Sequence, residues 1–280
     1  MTQLSKFFIE TKLKEYKMKN KSVDIYFFSG TGNTYLATEK IMETLERGGC
    51  EVKLAPIEKS DPLKVDLTNT IGIGFTIACW NTYPLVRRFI KNLPKADGTE
   101  AFVFCTMGDS SFKAQAEYAK ILEDKGYSLI GTKAFKMPNN FIAIQNEEKN
   151  KRKISLAYPK IERFALDILD GKAETEKTSL FSNICFKISC VITGWWEKSL
   201  SQKMMNLRVK KNLCVKCGLC AKLCPTGNIV LTDYPAFKNK CQICLRCSSY
   251  CPKKAINSFA VLGNKIYRAL EEEKAKNVFA

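Results

Sequence analysis

The sequence contains no histidine. That removes imidazole as general base, nucleophile partner and metal ligand, so any metal must be held by sulfur or oxygen. No run of about 18 apolar residues occurs, which excludes the usual signature of a spanning helix. The opening stretch, MTQLSKFFIETKLKEYKMKNKS, has neither a long apolar core nor a small-residue cleavage site, so a signal peptide is not expected. Glycine (15) and proline (9) are too few for a low-complexity or fibrous chain. Acidic residues are scarce in one part of the chain. Residues 171–280 hold 7 Asp and Glu against 19 Lys and Arg, a balance of +12, whereas residues 1–170 hold 21 against 26, a balance of +5. A basic field of this kind suits an acidic protein, a nucleic acid or an anionic membrane surface.

Cysteine, by contrast, is abundant, with 13 in 280 residues. Without an export signal, these point to metal binding or redox chemistry rather than disulfides. Hydrophobic residues at 45% and charged residues at 26% allow a real core, and the length suits two domains.

From Val23 onward the text becomes regular. Apolar runs predict strands at Val23–Phe28, Glu51–Leu54, Thr70–Ile77, Ala101–Cys105 and Tyr127–Phe135. Helical spacing predicts Thr34–Arg47, Pro84–Asn92, Ser111–Lys125 and one or two helices in Glu147–Leu169. Continuously apolar strands alternating with helices give an α/β fold: a doubly wound, five-stranded parallel sheet of order 2-1-3-4-5. This domain is expected at 21–171, after an N-terminal extension at 1–20. Met18 stands just before the first strand, so residues 1–17 read as an extension or a misassigned start. Residues 172–206 read as a polar linker followed by an amphipathic segment, Leu180–Trp196, lying on the first domain or on a membrane surface. A small α+β domain is expected at 207–260. A C-terminal helix at 261–280 follows, with Glu271–Glu273, Lys274 and Lys276 on a solvated face.

Residues 214–225 and 241–252 both fit C-x2-C-x2-C-x3-C-P, the second beginning 27 positions after the first. Three thiolates within seven residues can wrap one face of a cubane, and the fourth then ligates the other cluster. This crossing predicts two [4Fe–4S] clusters. Cys214, Cys217, Cys220 and Cys251 would hold one; Cys241, Cys244, Cys247 and Cys224 would hold the other. Zinc prefers paired C-x2-C units and leaves the third cysteine and the repeated proline unexplained. Cys50, Cys105, Cys185 and Cys190 have no ligand spacing and read as core residues. The motifs resemble the bacterial two-cluster ferredoxin module over roughly 207–258, departing from it at Asn228, a non-ligand position.

Between the first strand and helix stands Ser29-Gly30-Thr31-Gly32-Asn33-Thr34. A helix N-terminus offers free N–H groups, the hydroxyls add donors, and the glycines let the backbone wrap closely, all suited to one phosphate. No Lys is present for a Walker loop, and Tyr35 stands where a Rossmann fingerprint needs its third glycine. The loop resembles the FMN-phosphate loop of flavodoxins. That resemblance implies a flavin ring between Thr76–Tyr83 and Thr106–Ser110, with Ala78, Cys79, Trp80, Asn81, Thr106, Met107, Gly108 and Asp109 around it. Trp80 is a candidate to stack on the flavin or an ordinary surface or core side chain. Cys79 would tune the flavin or be an inert thiol. Asp109 would sit near the flavin edge or cap the next helix.

Taken together, 21–258 is similar to the flavodoxin–ferredoxin fusion proteins of anaerobic bacteria and archaea. The resemblance implies FMN, two [4Fe–4S] clusters and electron transfer; abundant cysteine without an export signal points to the cytoplasm. The basic charge implies an acidic redox partner. A reductase acting on a small molecule at the flavin is the alternative. A redox-sensing or nucleic-acid-binding role is less favoured, because the basic residues are scattered.

Overall fold

A computed structural model describes residues 18–78, 80–141, 144–177, 179–195, 207–257 and 266–280. The larger domain is built on strands β1 (Ser22–Phe27), β2 (Glu51–Pro56), β3 (Thr70–Thr76), β4 (Glu100–Met107) and β5 (Ser128–Lys136). All four pairings are parallel and the order is β2-β1-β3-β4-β5. This is the doubly wound arrangement of flavodoxin type, with its switch point between β1 and β3. The core residues of β3 and β4 explain why it is covered on both faces. Ile71, Ile73 and Phe75 pack to one side with Val103, while Phe102 and Phe104 pack to the other.

Helices α1 (Asn33–Arg47) and α4 (Glu147–Leu169) cover one face, and α2 (Pro84–Asn92) and α3 (Ala114–Glu123) the other. The apolar residues Ala37, Ile41 and Leu45 of α1 recur at helical spacing and meet Ile161, Phe164 and Ile168 of α4. The region read as one or two helices is a single helix, with Pro159 inside it. The helix expected at Ser111–Lys125 starts later, at Ala114, because Phe112 and Lys113 take positive φ.

One expectation outside the sheet needs correction. Residues 172–177 are not a free linker. Their backbone runs along β5, with the Glu174 carbonyl accepting from Thr132 N–H (3.0 Å) and Thr132 Oγ1 accepting from Glu176 N–H (2.6 Å). Helix α5 (Leu180–Trp195) does lie on the sheet domain, through Phe186 against Tyr118 and Ser189 beside Asn81. Residues 196–206, the rest of the expected docking segment, lie outside the described residues.

The small domain has two antiparallel pairs: β6 (Arg208–Val209) with β9 (Ile256–Asn257), and β7 (Ile229–Leu231) with β8 (Pro235–Phe237). Two short helices, α6 (Leu219–Lys222) and α7 (Arg246–Ser249), carry cysteines of the two motifs. The C-terminal helix is α8 (Glu272–Phe279), shorter than the expected 261–280; Glu271, Glu273, Lys274 and Lys276 are exposed as expected, but the other side of the helix is not solvated. Ala275 and Phe279 are buried against Phe27 of β1 and Tyr250 of the small domain, and Lys274 pairs with Glu39 of α1 at 2.7 Å.

Candidate functional site

The loop after β1 is a set of donors without acceptors. The N–H groups of Gly30, Thr31, Gly32, Asn33 and Thr34 meet no hydrogen-bond acceptor among the described residues, and Tyr35 N–H donates to Ser29 Oγ. Ser29, Thr31, Asn33 and Thr34 are buried. Five buried donors at the start of a 15-residue helix, with no acidic side chain in its first turn, form an anion cradle. Three hydroxyls converge behind it: Thr34 Oγ1 lies 2.7 Å from Thr76 Oγ1 and 2.8 Å from Thr106 Oγ1. The loop therefore fits a phosphate group.

Beside it opens a cavity of about 240 Å³. Its walls come from the ends of three strands and from the small domain: Thr76–Ala78, Thr106–Gly108, Pro138–Phe141 and Cys241–Ile243. Asn33 supplies the edge nearest the loop, held by Tyr267 Oη on one side and donating to the Pro138 carbonyl at 2.8 Å on the other. Tyr83 closes the cavity under the small domain, its hydroxyl 3.4 Å from the Ile243 carbonyl. Such a crevice at the carboxyl ends of the strands is where doubly wound sheets bind ligands. Its mostly apolar walls beside an anion cradle fit a planar ring with a phosphate tail, as in a flavin mononucleotide.

The eight motif cysteines fall into two groups. Cys214, Cys217, Cys220 and Cys251 line one small cavity. Cys224, Cys241, Cys244 and Cys247 line another. Each group takes three cysteines from one motif and the fourth from the other, the crossing expected from the spacing. Among the described residues no three Cys, Asp or Glu side chains converge on a point suited to a single ion. The cysteines surround a space instead. Burial pushes the Cys220 thiol up to about 11 and the Cys244 thiol up to about 12.

The two domains meet at the loop after β1. A Cβ on Gly30 would stand 2.3 Å from the Cys244 carbonyl oxygen. Gly32 has φ +105° and lies under Leu270 and Tyr250. The Thr31 carbonyl accepts from Tyr250 Oη at 2.9 Å and from Ala269 N–H at 2.8 Å. At the centre sits Arg246, 1% exposed although charged. It donates to the Ser29 carbonyl (2.7 Å) and the Leu223 carbonyl (3.3 Å), lies 4.1 Å from the Phe279 ring centroid and pairs with buried Glu58 at 2.6 Å. The ion pair is oblique, and Arg246 Nε and both Glu58 oxygens have no aligned hydrogen bond. The charge contact stands despite this, because the guanidinium and carboxylate lie 2.6 Å apart with both side chains almost wholly buried.

Of the residues expected around a flavin, Asn33, Ala78, Thr106, Met107 and Gly108 line the cavity. Trp80 does not: it is 54% exposed and packs edge-on against Phe112. Asn81 is buried elsewhere, its amide tying Tyr118 to Ser189 of α5. Asp109 is neither at the cavity nor a helix cap; its exposed carboxylate faces Lys136 at 3.7 Å. Cys79 lies outside the described residues. Cys50 and Cys105 are buried as expected, while Cys185 and Cys190 are half-buried on α5. Sequence reasoning missed Asn139, Asn140, Phe141 and Cys241–Ile243. The polar Pro-Asn-Asn-Phe run directly after β5 was the available signal, because a third strand end borders the same crevice.

A family model described as a 4Fe-4S binding domain matches residues 207–230. No curated protein matches the chain. Among solved structures, Flavodoxin 2 from Bacillus cereus is 20% identical with a TM-score of 0.41, covering 52% of this chain and 97% of its own. The two-electron reduced flavodoxin of Megasphaera elsdenii is 22% identical with a TM-score of 0.38, covering 49% of this chain and 98% of its own. An archaeal flavodoxin is 16% identical with a TM-score of 0.39, covering 53% of this chain and 96% of its own. The strand order and parallel register given above carry the fold assignment independently of these. The chain thus joins a flavodoxin-like doubly wound domain to a 4Fe–4S binding domain.

Proposed function

We propose that the protein is a cytoplasmic electron carrier that moves single electrons between two [4Fe–4S] clusters, an FMN and an acidic redox partner. The observation that carries this reading is the shared wall: Cys241–Ile243 borders both the 240 Å³ crevice and the second cysteine cavity. A flavin accepts one or two electrons, so it can join single-electron carriers to two-electron chemistry. The N–H groups of residues 30–34 would hold its phosphate, and Ala78, Thr106–Gly108, Pro138–Phe141 and Tyr83 would enclose its ring. Cys214, Cys217, Cys220 and Cys251 would hold the outer cluster, and Cys224, Cys241, Cys244 and Cys247 the inner one. Eight thiolate ligands without an open position suit electron transfer rather than substrate binding at iron. The residues of the interface would keep the inner cysteines against the crevice.

The test is iron, acid-labile sulfide and flavin content with an absorbance spectrum, on protein purified without oxygen. About eight irons and one FMN per chain are expected. Four irons would remove one cluster from the scheme. Eight irons without flavin would leave the sheet domain as a docking module. Zinc in place of iron would sink electron transfer altogether.

A further inference from the structure

The two cysteine groups differ in how they meet solvent. Cys217 is the exposed one among the eight motif cysteines, and its group does not line the crevice. Around it lies an unusual surface. Leu213, Val215 and Leu231 are 41%, 55% and 52% exposed. Val215 lines the outer cavity, and Leu231 packs over Gly218 between Cys217 and Cys220. Lys216 and Lys253 line the same cavity. Lys211 and Lys216 hold their ammonium groups 5.3 and 4.7 Å from the Tyr234 ring centroid. Residues 207–257 carry ten Lys and Arg against one acid, Asp233. Arg246 is the member of the ten that is buried against Glu58.

An apolar centre with a rim of one charge sign is the anatomy of a transient protein interface, where the rim steers encounter and the centre excludes water. The geometry points to this face, formed by Leu213, Val215, Leu231, Lys211, Lys216 and Lys253, as the docking site for an acidic one-electron carrier protein. Such docking rests on the function proposed above, since it matters only if the outer cavity holds a cluster. It puts the partner at the outer cluster and away from the flavin crevice, which the small domain already covers. A nucleic acid would be drawn by the same charge but has no need of an apolar centre; an anionic bilayer would use both, and the vesicle arm of the experiment below separates it from a protein partner.

The experiment measures binding of an acidic two-cluster bacterial ferredoxin to the full anaerobic protein across a salt series. K211E/K216E/K253E is compared with K91E/K120E/K133E, which makes the same change in net charge on the sheet domain. The face variant is expected to lose affinity by about tenfold or more and to flatten the salt dependence, while the control changes less than about twofold. V215S/L231S is expected to weaken binding with the salt dependence unchanged. Equal losses in both charge variants, or none in either, overturn the docking site. Tighter binding of wild type to duplex DNA or to phosphatidylserine vesicles than to the ferredoxin also overturns it. Iron and flavin are measured on every sample. Full content with unaltered binding refutes the docking site alone, whereas wild type without iron refutes the electron-transfer reading beneath it. Should K211E/K216E/K253E fold poorly, K211Q/K216Q/K253Q replaces it, with a smaller loss expected in the same direction.

Discussion

Glycine at position 30 has no room for a methyl group, because the obstacle is the backbone carbonyl of Cys244 and not a movable side-chain tip. Gly30→Ala is therefore expected to push the cysteine loop outward, costing about 1–3 kcal/mol and lowering iron content, as read by denaturant titration and iron assay. Arg246 is the second decisive residue. Arg246→Met leaves the Glu58 carboxyl buried without its partner and is expected to cost about 3–5 kcal/mol, whereas the double variant R246M/E58L recovers most of it. Equilibrium unfolding of the three variants checks this. The loop's glycines and hydroxyls were legible in the sequence, because a strand–turn–helix pattern surrounds them. The role of Arg246 was not. A cation between Cys244 and Cys247 looks like one more surface charge until Glu58, 188 positions earlier, is seen beside it.

At the scale of elements, the strands and the cysteine groups were readable for the same reason: each depends on spacing within a short window. The parallel strands are buried on both faces, so their runs are continuously apolar. The C-x2-C-x2-C-x3-C spacing states its own geometry. The buried side of α8 and the pairing of residues 172–177 along β5 were not legible because their partners are remote. Only Ala275 and Phe279 of α8 are buried, too few to mark an apolar stripe among five charged or polar neighbours. Yet Phe279 is 2% exposed, under the Arg246 guanidinium and beside Tyr250. Phe279→Ala is expected to cost about 3 kcal/mol or more by chemical denaturation, far above the few tenths typical of a solvated helix end. The crevice lining was half legible. The ends of β3 and β4 follow from the fold, but the wall from the small domain depends on how two domains dock, which no local pattern encodes.

For the whole molecule, two tyrosines report on that docking. Tyr250 donates to the Thr31 carbonyl and Tyr267 to Asn33 Oδ1, and burial raises both phenols well above their usual value of 10. A group whose folded pKa is raised contributes stability that is complete below its unfolded pKa and is lost as pH climbs through the folded value. The stability these two phenols contribute is therefore expected to be constant up to about pH 9 and to be lost from about pH 10 upward. Y250F/Y267F should start lower and fall less steeply over the same range. Parallel slopes for variant and wild type would assign the alkaline loss to other groups.

The wall formed by Cys241–Ile243 has a further consequence under the proposed function. The segment that grips the more delicate cofactor is also part of the container for the hardier one. Oxygen attack on the inner cluster would loosen that segment and open the crevice, so iron loss and flavin release would travel together. The molecule would fail as a unit, falling silent rather than persisting as a free flavin domain that leaks electrons to oxygen.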